Sequence, residues 1–88
     1  MRKKGPVDPD DIISAALVRA GKSVVDANVL LDASQALHAV GRPDLAATYA
    51  ARAYGLALVE KDASLAARAL TFLVSRLGAE GRKALWEL

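Results

Sequence analysis

The sequence contains no cysteine and only one histidine, His38. A disulfide is therefore excluded, and so is a zinc site built from thiolates or from paired imidazoles. Only four residues are aromatic, Tyr49, Tyr54, Phe72 and Trp86. A core made mostly of alanine and leucine gains little area per residue, at about 25 cal/mol per Å² buried. The longest stretch free of Asp, Glu, Lys and Arg is Ala33–Gly41, nine residues, well short of the roughly 20 that span a bilayer. No segment alternates apolar and polar residues, and β-branched residues do not cluster beyond Val24-Val25, so nothing reads as a strand.

The chain is 88 residues long, enough for one domain and too short for two. Its basic pI comes from the N-terminus. Of twelve Lys and Arg residues, three lie in the first four positions, Arg2, Lys3 and Lys4; the remaining nine face ten Asp and Glu. The expected organisation is a flexible basic tail over residues 1–7 and a single helical domain over 8–88. Met-Arg-Lys-Lys resembles the start of a signal peptide, but the following residues are acidic and broken by proline instead of apolar. The expectation is a cytoplasmic protein with no membrane association. Mean hydropathy of +0.21 is high for a lone small domain, and points to apolar surface covered by another chain.

Helix punctuation is legible along the chain. Asp8, Pro9, Asp10 and Asp11 suit a helix start, and Gly21 closes that helix. Ser23 with Asp26 predicts the opening of a second helix ending at Gly41. Arg42-Pro43-Asp44 opens a third that runs to about Glu60. Asp62 or Ser64 caps a fourth ending at Gly78, and a short last helix spans Glu80 to Trp86. Leu17, Leu37 and Val74 each precede a closing glycine by four residues, as apolar partners of helix C-caps do. The fold class is thus all-α, a compact bundle of four main antiparallel helices plus a short C-terminal one.

Projected at 3.6 residues per turn, the second helix places Asn28, Asp32, Gln35 and Ala39 on one polar strip and is apolar over most of the rest. The third helix carries a column of small residues, Ala46, Ala50, Ala53 and Ala57, flanked by Tyr49 on one side and Tyr54 on the other. Such a column admits a neighbouring helix at the lower end of the usual 8–10 Å spacing.

Residues 27–60 resemble a single tetratricopeptide unit, two antiparallel helices joined by a tight turn over 34 residues. Leu30 stands at the family's usual tryptophan position, Ser34 at a small position, Leu37 at a large one and Gly41 at the turn. Ala46 and Ala53 match the two small positions of the second helix. The chain departs from the pattern at Ala50, which replaces an aromatic, and at Leu58, which replaces the closing proline. The following segment places Arg68 and Ser75 where the repeat needs a small residue and a turn. The resemblance implies a helical hairpin in the middle of the bundle.

No constellation supports catalysis. Ser34 and His38 are spaced to hydrogen-bond on one helix, but no third residue orients them. Asp8, Asp10 and Asp11 lack the EF-hand spacing and its distal glutamate. Gly78–Lys83 lacks the ending and the preceding strand of a phosphate loop and reads as a turn between helices. A helix-turn-helix forced onto residues 14–33 has Asn28 and Asp32, and no Arg or Lys, on its reading helix. Tyr49, Arg52 and Tyr54 do not form one stacking platform, because the tyrosines flank opposite sides of the column. Five arginines, Arg42, Arg52, Arg68, Arg76 and Arg82, do not gather either. Arg52 shares a strip with Asp44, and 3.6 residues per turn sets Arg68 and Arg76 about 80° apart.

The expected function is a non-catalytic interaction or oligomerisation module without cofactor or metal. It packs on its own copy, as a dimer, or on a protein partner through Ala46, Ala50, Ala53, Ala57, Tyr49 and Tyr54. Trp86 has two readings: it folds back onto the fourth helix with Leu85 and Leu88, or it is an exposed anchor. The alternative function is a small nucleic-acid-associated protein that binds weakly through Arg2, Lys3 and Lys4.

Overall fold

A computed structural model describes residues 8–87, so the basic tail at 1–7 and Leu88 lie outside the described residues. Five α-helices follow in order: α1 Pro9–Ala20, α2 Ala27–Ala39, α3 Pro43–Val59, α4 Ala63–Thr71 and α5 Ala79–Trp86. A single π turn, Phe72–Arg76, extends α4. Among the described residues there is no strand, and no helix is long and apolar enough to cross a membrane.

Local chemistry explains the boundaries. Asp8 accepts from the Asp10 amide at 3.0 Å, Asp26 from the Val29 amide at 2.9 Å and Asp62 from the Leu65 amide at 3.0 Å. Each satisfies a donor that the first turn leaves free. The second helix accordingly begins at Ala27, because its cap is Asp26, three residues beyond Ser23. Three closures share one form, an amide reaching back to the carbonyl five residues earlier: Lys22 to Leu17 at 3.0 Å, Arg42 to Leu37 at 2.9 Å and Asp62 to Ala57 at 2.9 Å. The residue before each donor is left-handed. Gly21 and Gly41 adopt that conformation freely, whereas Lys61 holds φ 60° against the usual cost for a side chain.

The fourth helix is not a regular α-helix to Gly78. After Thr71 the backbone widens into the π turn, closed by the Leu77 amide donating to the Phe72 carbonyl at 3.2 Å.

The α2–α3 pair makes the most extensive interhelix contact. Leu31 and Leu37 from α2 and Ala46, Ala50, Ala53 and Ala57 from α3 all belong to the main core, together with Leu65, Phe72, Leu73 and Leu77. A smaller cluster of Ala16, Val29 and Ala33 seats α1 on α2. Ser34 is completely buried, and its hydroxyl donates to the Ala46 carbonyl at 2.6 Å. The bond joins a side chain of one helix to the backbone of the next, which requires the close approach that alanine permits. The Ser34–His38 hydrogen bond that the spacing allows does not form; His38 instead meets Phe72 edge-on, with ring centroids 5.7 Å apart. The shortest dimension is 18 Å, the thickness of two helix layers in close contact.

The Asp26 cap carries a pH signature. The Lys22 ammonium, which hydrogen-bonds Asp26, and secondarily the Val29 amide hold its carboxyl below the usual carboxylate range. A lowered folded pKa stabilises the fold above the unfolded value, about 4, and that stabilisation is lost as pH falls through the folded value. Asp26→Ala is expected to cost about 1 kcal/mol near neutral pH. Thermal melts of both proteins should show the difference shrinking in strong acid.

Candidate functional site

Helices α2 and α4 both pack on α3 and touch each other only lightly. Between them runs a groove of three consecutive pockets, and Arg68 lines all three. The polar strip of α2 forms one wall, with Asp32 at the middle, Asn28 toward one end and Gln35 toward the other. Its membership follows from the sequence pattern, since the apolar remainder of α2 is used on α1 and α3. The opposite wall is α4 and the π turn.

Charge changes along the groove. At one end, a pocket of about 360 Å³ is lined by Arg68 and Arg76, with Gln35, Thr71, Phe72 and Ser75 and no carboxylate. In the middle, Arg19 of α1 pairs with Asp32 at 3.1 Å. At the other end Glu60, Asp26 and Asp62 stand beside Lys22 and Arg68; Lys22 is engaged by Asp26. Among the described residues neither Arg68 nor Arg76 joins an ion pair.

The two arginines correct the helical projection that set them apart. A π turn encloses one more residue per hydrogen-bonded ring than an α turn, so each residue advances by a smaller angle. The π turn lies between Arg68 and Arg76 and rotates Arg76 back toward the face of Arg68, and both line one pocket. Nothing in a single sequence marks where a π turn falls, although three apolar residues in a row, Phe72-Leu73-Val74, show that the strict stripe is broken there.

The other candidate residues fall elsewhere. Ala46, Ala50, Ala53 and Ala57 are fully buried inside the chain's own core and present no surface to a second molecule. Their column is occupied by intrachain packing. Tyr49 is half-buried against both core clusters and lies under the Arg52 guanidinium, 5.4 Å from the ring centroid. Tyr54 is half-buried against the main core. Of the C-terminal apolar residues, Leu85 packs on the core while Trp86 is 91% exposed. Trp86 therefore does not fold back onto the preceding helix.

The groove's polar side chains are amides, hydroxyls, guanidinia, the Lys22 ammonium and carboxylates, and among the described residues no group of three or more His, Asp or Glu is placed to hold a metal ion. What it offers is a linear array of hydrogen-bonding and charged groups. No family model matches the chain, and neither does any curated protein or solved structure.

Proposed function

We propose that this chain is a non-catalytic protein-interaction module. Its four main helices run antiparallel with a short fifth, the α2–α3 pair serves as a tetratricopeptide-like hairpin, and it works in the cytoplasm. Its working surface is the groove between α2 and α4, in place of the alanine column. The observation that carries this reading is the continuity of the groove: the first two pockets share Asn28, the last two share Gln35, and Arg68 lines all three. Linear arrays of this kind suit an extended polypeptide, whose backbone and side chains present donors and acceptors at regular intervals.

A photoreactive amino acid placed at Gln35, inside the groove, and at Ser14, exposed on α1, tests this in cells. Cross-linking of a discrete protein from Gln35 and not from Ser14 is expected. Equal labelling from both sites, or nucleic acid captured in place of protein, overturns the reading.

Self-association is the second reading, favoured by the exposure of Trp86. Large exposed aromatics are common anchors of interfaces. If a second copy covers it, its fluorescence shifts to the blue as concentration rises, and Trp86→Ala keeps the protein monomeric in sedimentation. Emission fixed at the solvent-exposed position at all concentrations rejects that role.

A further inference from the structure

We infer that the groove takes an extended peptide segment of mixed charge, with its acidic half at Arg68 and Arg76 and its basic half at Glu60 and Asp62. The inference rests on the groove being the working surface and adds the chemistry of the partner.

Two guanidinia line the pocket at the π-turn end, Arg76 there alone and Arg68 reaching the acidic pocket as well, and among the described residues neither joins an ion pair. Thr71 and Ser75 line the same pocket, and Ala67, exposed on α4, is its apolar member beside the edge of the buried Phe72. A carboxylate received there gains charge-assisted hydrogen bonds in the planar geometry that guanidinium matches best. Ala67 and the edge of Phe72 leave room for an apolar side chain beside the carboxylate. At the other end the field has the opposite sign. Glu60 joins no ion pair among the described residues, and Asp62 spends only Oδ1 on its cap. Lysine or arginine in the partner suits that end.

Length fits a short segment. From Ser64 to Arg76 the wall rises about 18 Å, the reach of five to six extended residues. A nucleic-acid strand fits poorly, since it carries a charge every ~3.4 Å along the strand and would set phosphates against Glu60, Asp26 and Asp62 as well as against the arginines. A peptide can vary its charge along its length.

The probe is a fluorescein-labelled eight-residue peptide, blocked at both ends, with two glutamates flanking a leucine in one half and two lysines in the other. Anisotropy titration against the full chain should show saturable binding. Arg68→Gln and Arg76→Gln are each expected to weaken it about tenfold, the size of one charge-assisted contact. Arg52→Gln, which removes the same charge outside the groove, should leave it unchanged. Glu60→Lys should reverse the preference at its end, so that a companion peptide with glutamates replacing the lysines binds the variant better than the wild type. Circular dichroism confirms that each variant is folded.

Equal weakening by Arg52→Gln, or tighter binding of a single-stranded oligonucleotide that depends on Arg68 and Arg76, overturns the inference. So does absence of peptide binding at millimolar concentration. If Gln35 still cross-links a protein in that case, the partner chemistry is wrong and the module reading stands. If the cross-link is also missing, the reading itself fails.

Discussion

Gly81→Ala is expected to lower the melting temperature by about 5–15 °C, or to detach α5 altogether. Gly81 lies within α5 and is buried. A Cβ built there overlaps the Leu73 carbonyl oxygen and lies 2.6 Å from its carbon. These are backbone atoms of the π turn and cannot rotate away as a side chain could. The helix must back off, pulling Leu85 and Ala84 from the core they pack against and uncovering Leu73, which is fully buried. Overpacking of this kind costs about 1–3 kcal/mol, more when the obstacle is rigid, and outweighs the ~1 kcal/mol that alanine gains over glycine in a helix. At about 4–8 °C per kcal/mol for a domain of this size, the loss is readily measured. Gly55→Ala is the internal control. Gly55 is in α3 with nothing within 4 Å of the added Cβ, so the same substitution should raise stability by about 0.5–1 kcal/mol. A Gly81→Ala protein that melts with the wild type would show that α5 does not approach the π turn as described.

The contrast between these glycines explains how far the sequence could be read. Caps and closures depend on residue type within one turn of chain, and Asp8, Gly21, Gly41, Pro43 and Asp62 carry them openly. Where two candidates compete for one start, as Ser23 and Asp26 do, the outcome depends on which side chain reaches a free amide, and that is decided by the path of the loop. Lys61 is the reverse case: α3 ends as the glycine-closed helices do, with no glycine to announce it. Its left-handed conformation is held by the packing that brings the Asp62 amide back to Ala57. Gly81 carried a signal that was available. A glycine inside a helix is unfavourable unless something passes close by, so it asks for a neighbouring backbone, though not for which one.

The groove was half legible. Asn28, Asp32 and Gln35 form a strip in any helical projection, so one wall follows from periodicity alone. The other wall depends on two long-range facts: how α4 sits across α3, and the π turn that rotates Arg76 toward Arg68. Neither is encoded locally. The alanine column was legible as a close helix contact, but a projection cannot tell whether the neighbouring helix belongs to the same chain. With 88 residues and few bulky side chains, the surfaces able to form a core are few, and the best of them is used internally.

Ala53→Glu is therefore expected to unfold the chain and not to dissociate an assembly. Ala53 is fully buried in α3, within the core shared with α2. Glutamate brings a side chain with no space to occupy and a charge with no partner. An isolated buried carboxylate is avoided by taking up a proton or by opening the structure, and either costs several kcal/mol. A domain of this length has roughly 4–13 kcal/mol of stability in all, and overpacking adds to the penalty. The Ser34 hydroxyl bond to the Ala46 carbonyl sits on the same α2–α3 contact and fails when the helices are forced apart. The helical circular dichroism signal should be largely lost at every protein concentration, because the damage lies within one chain. Arg52→Glu, adjacent but exposed, should keep the helical signal and most of the stability. If Ala53→Glu instead yields a folded monomer from a wild-type oligomer, the column faces another molecule, and the interaction surface returns to Ala46, Ala50, Ala53 and Ala57.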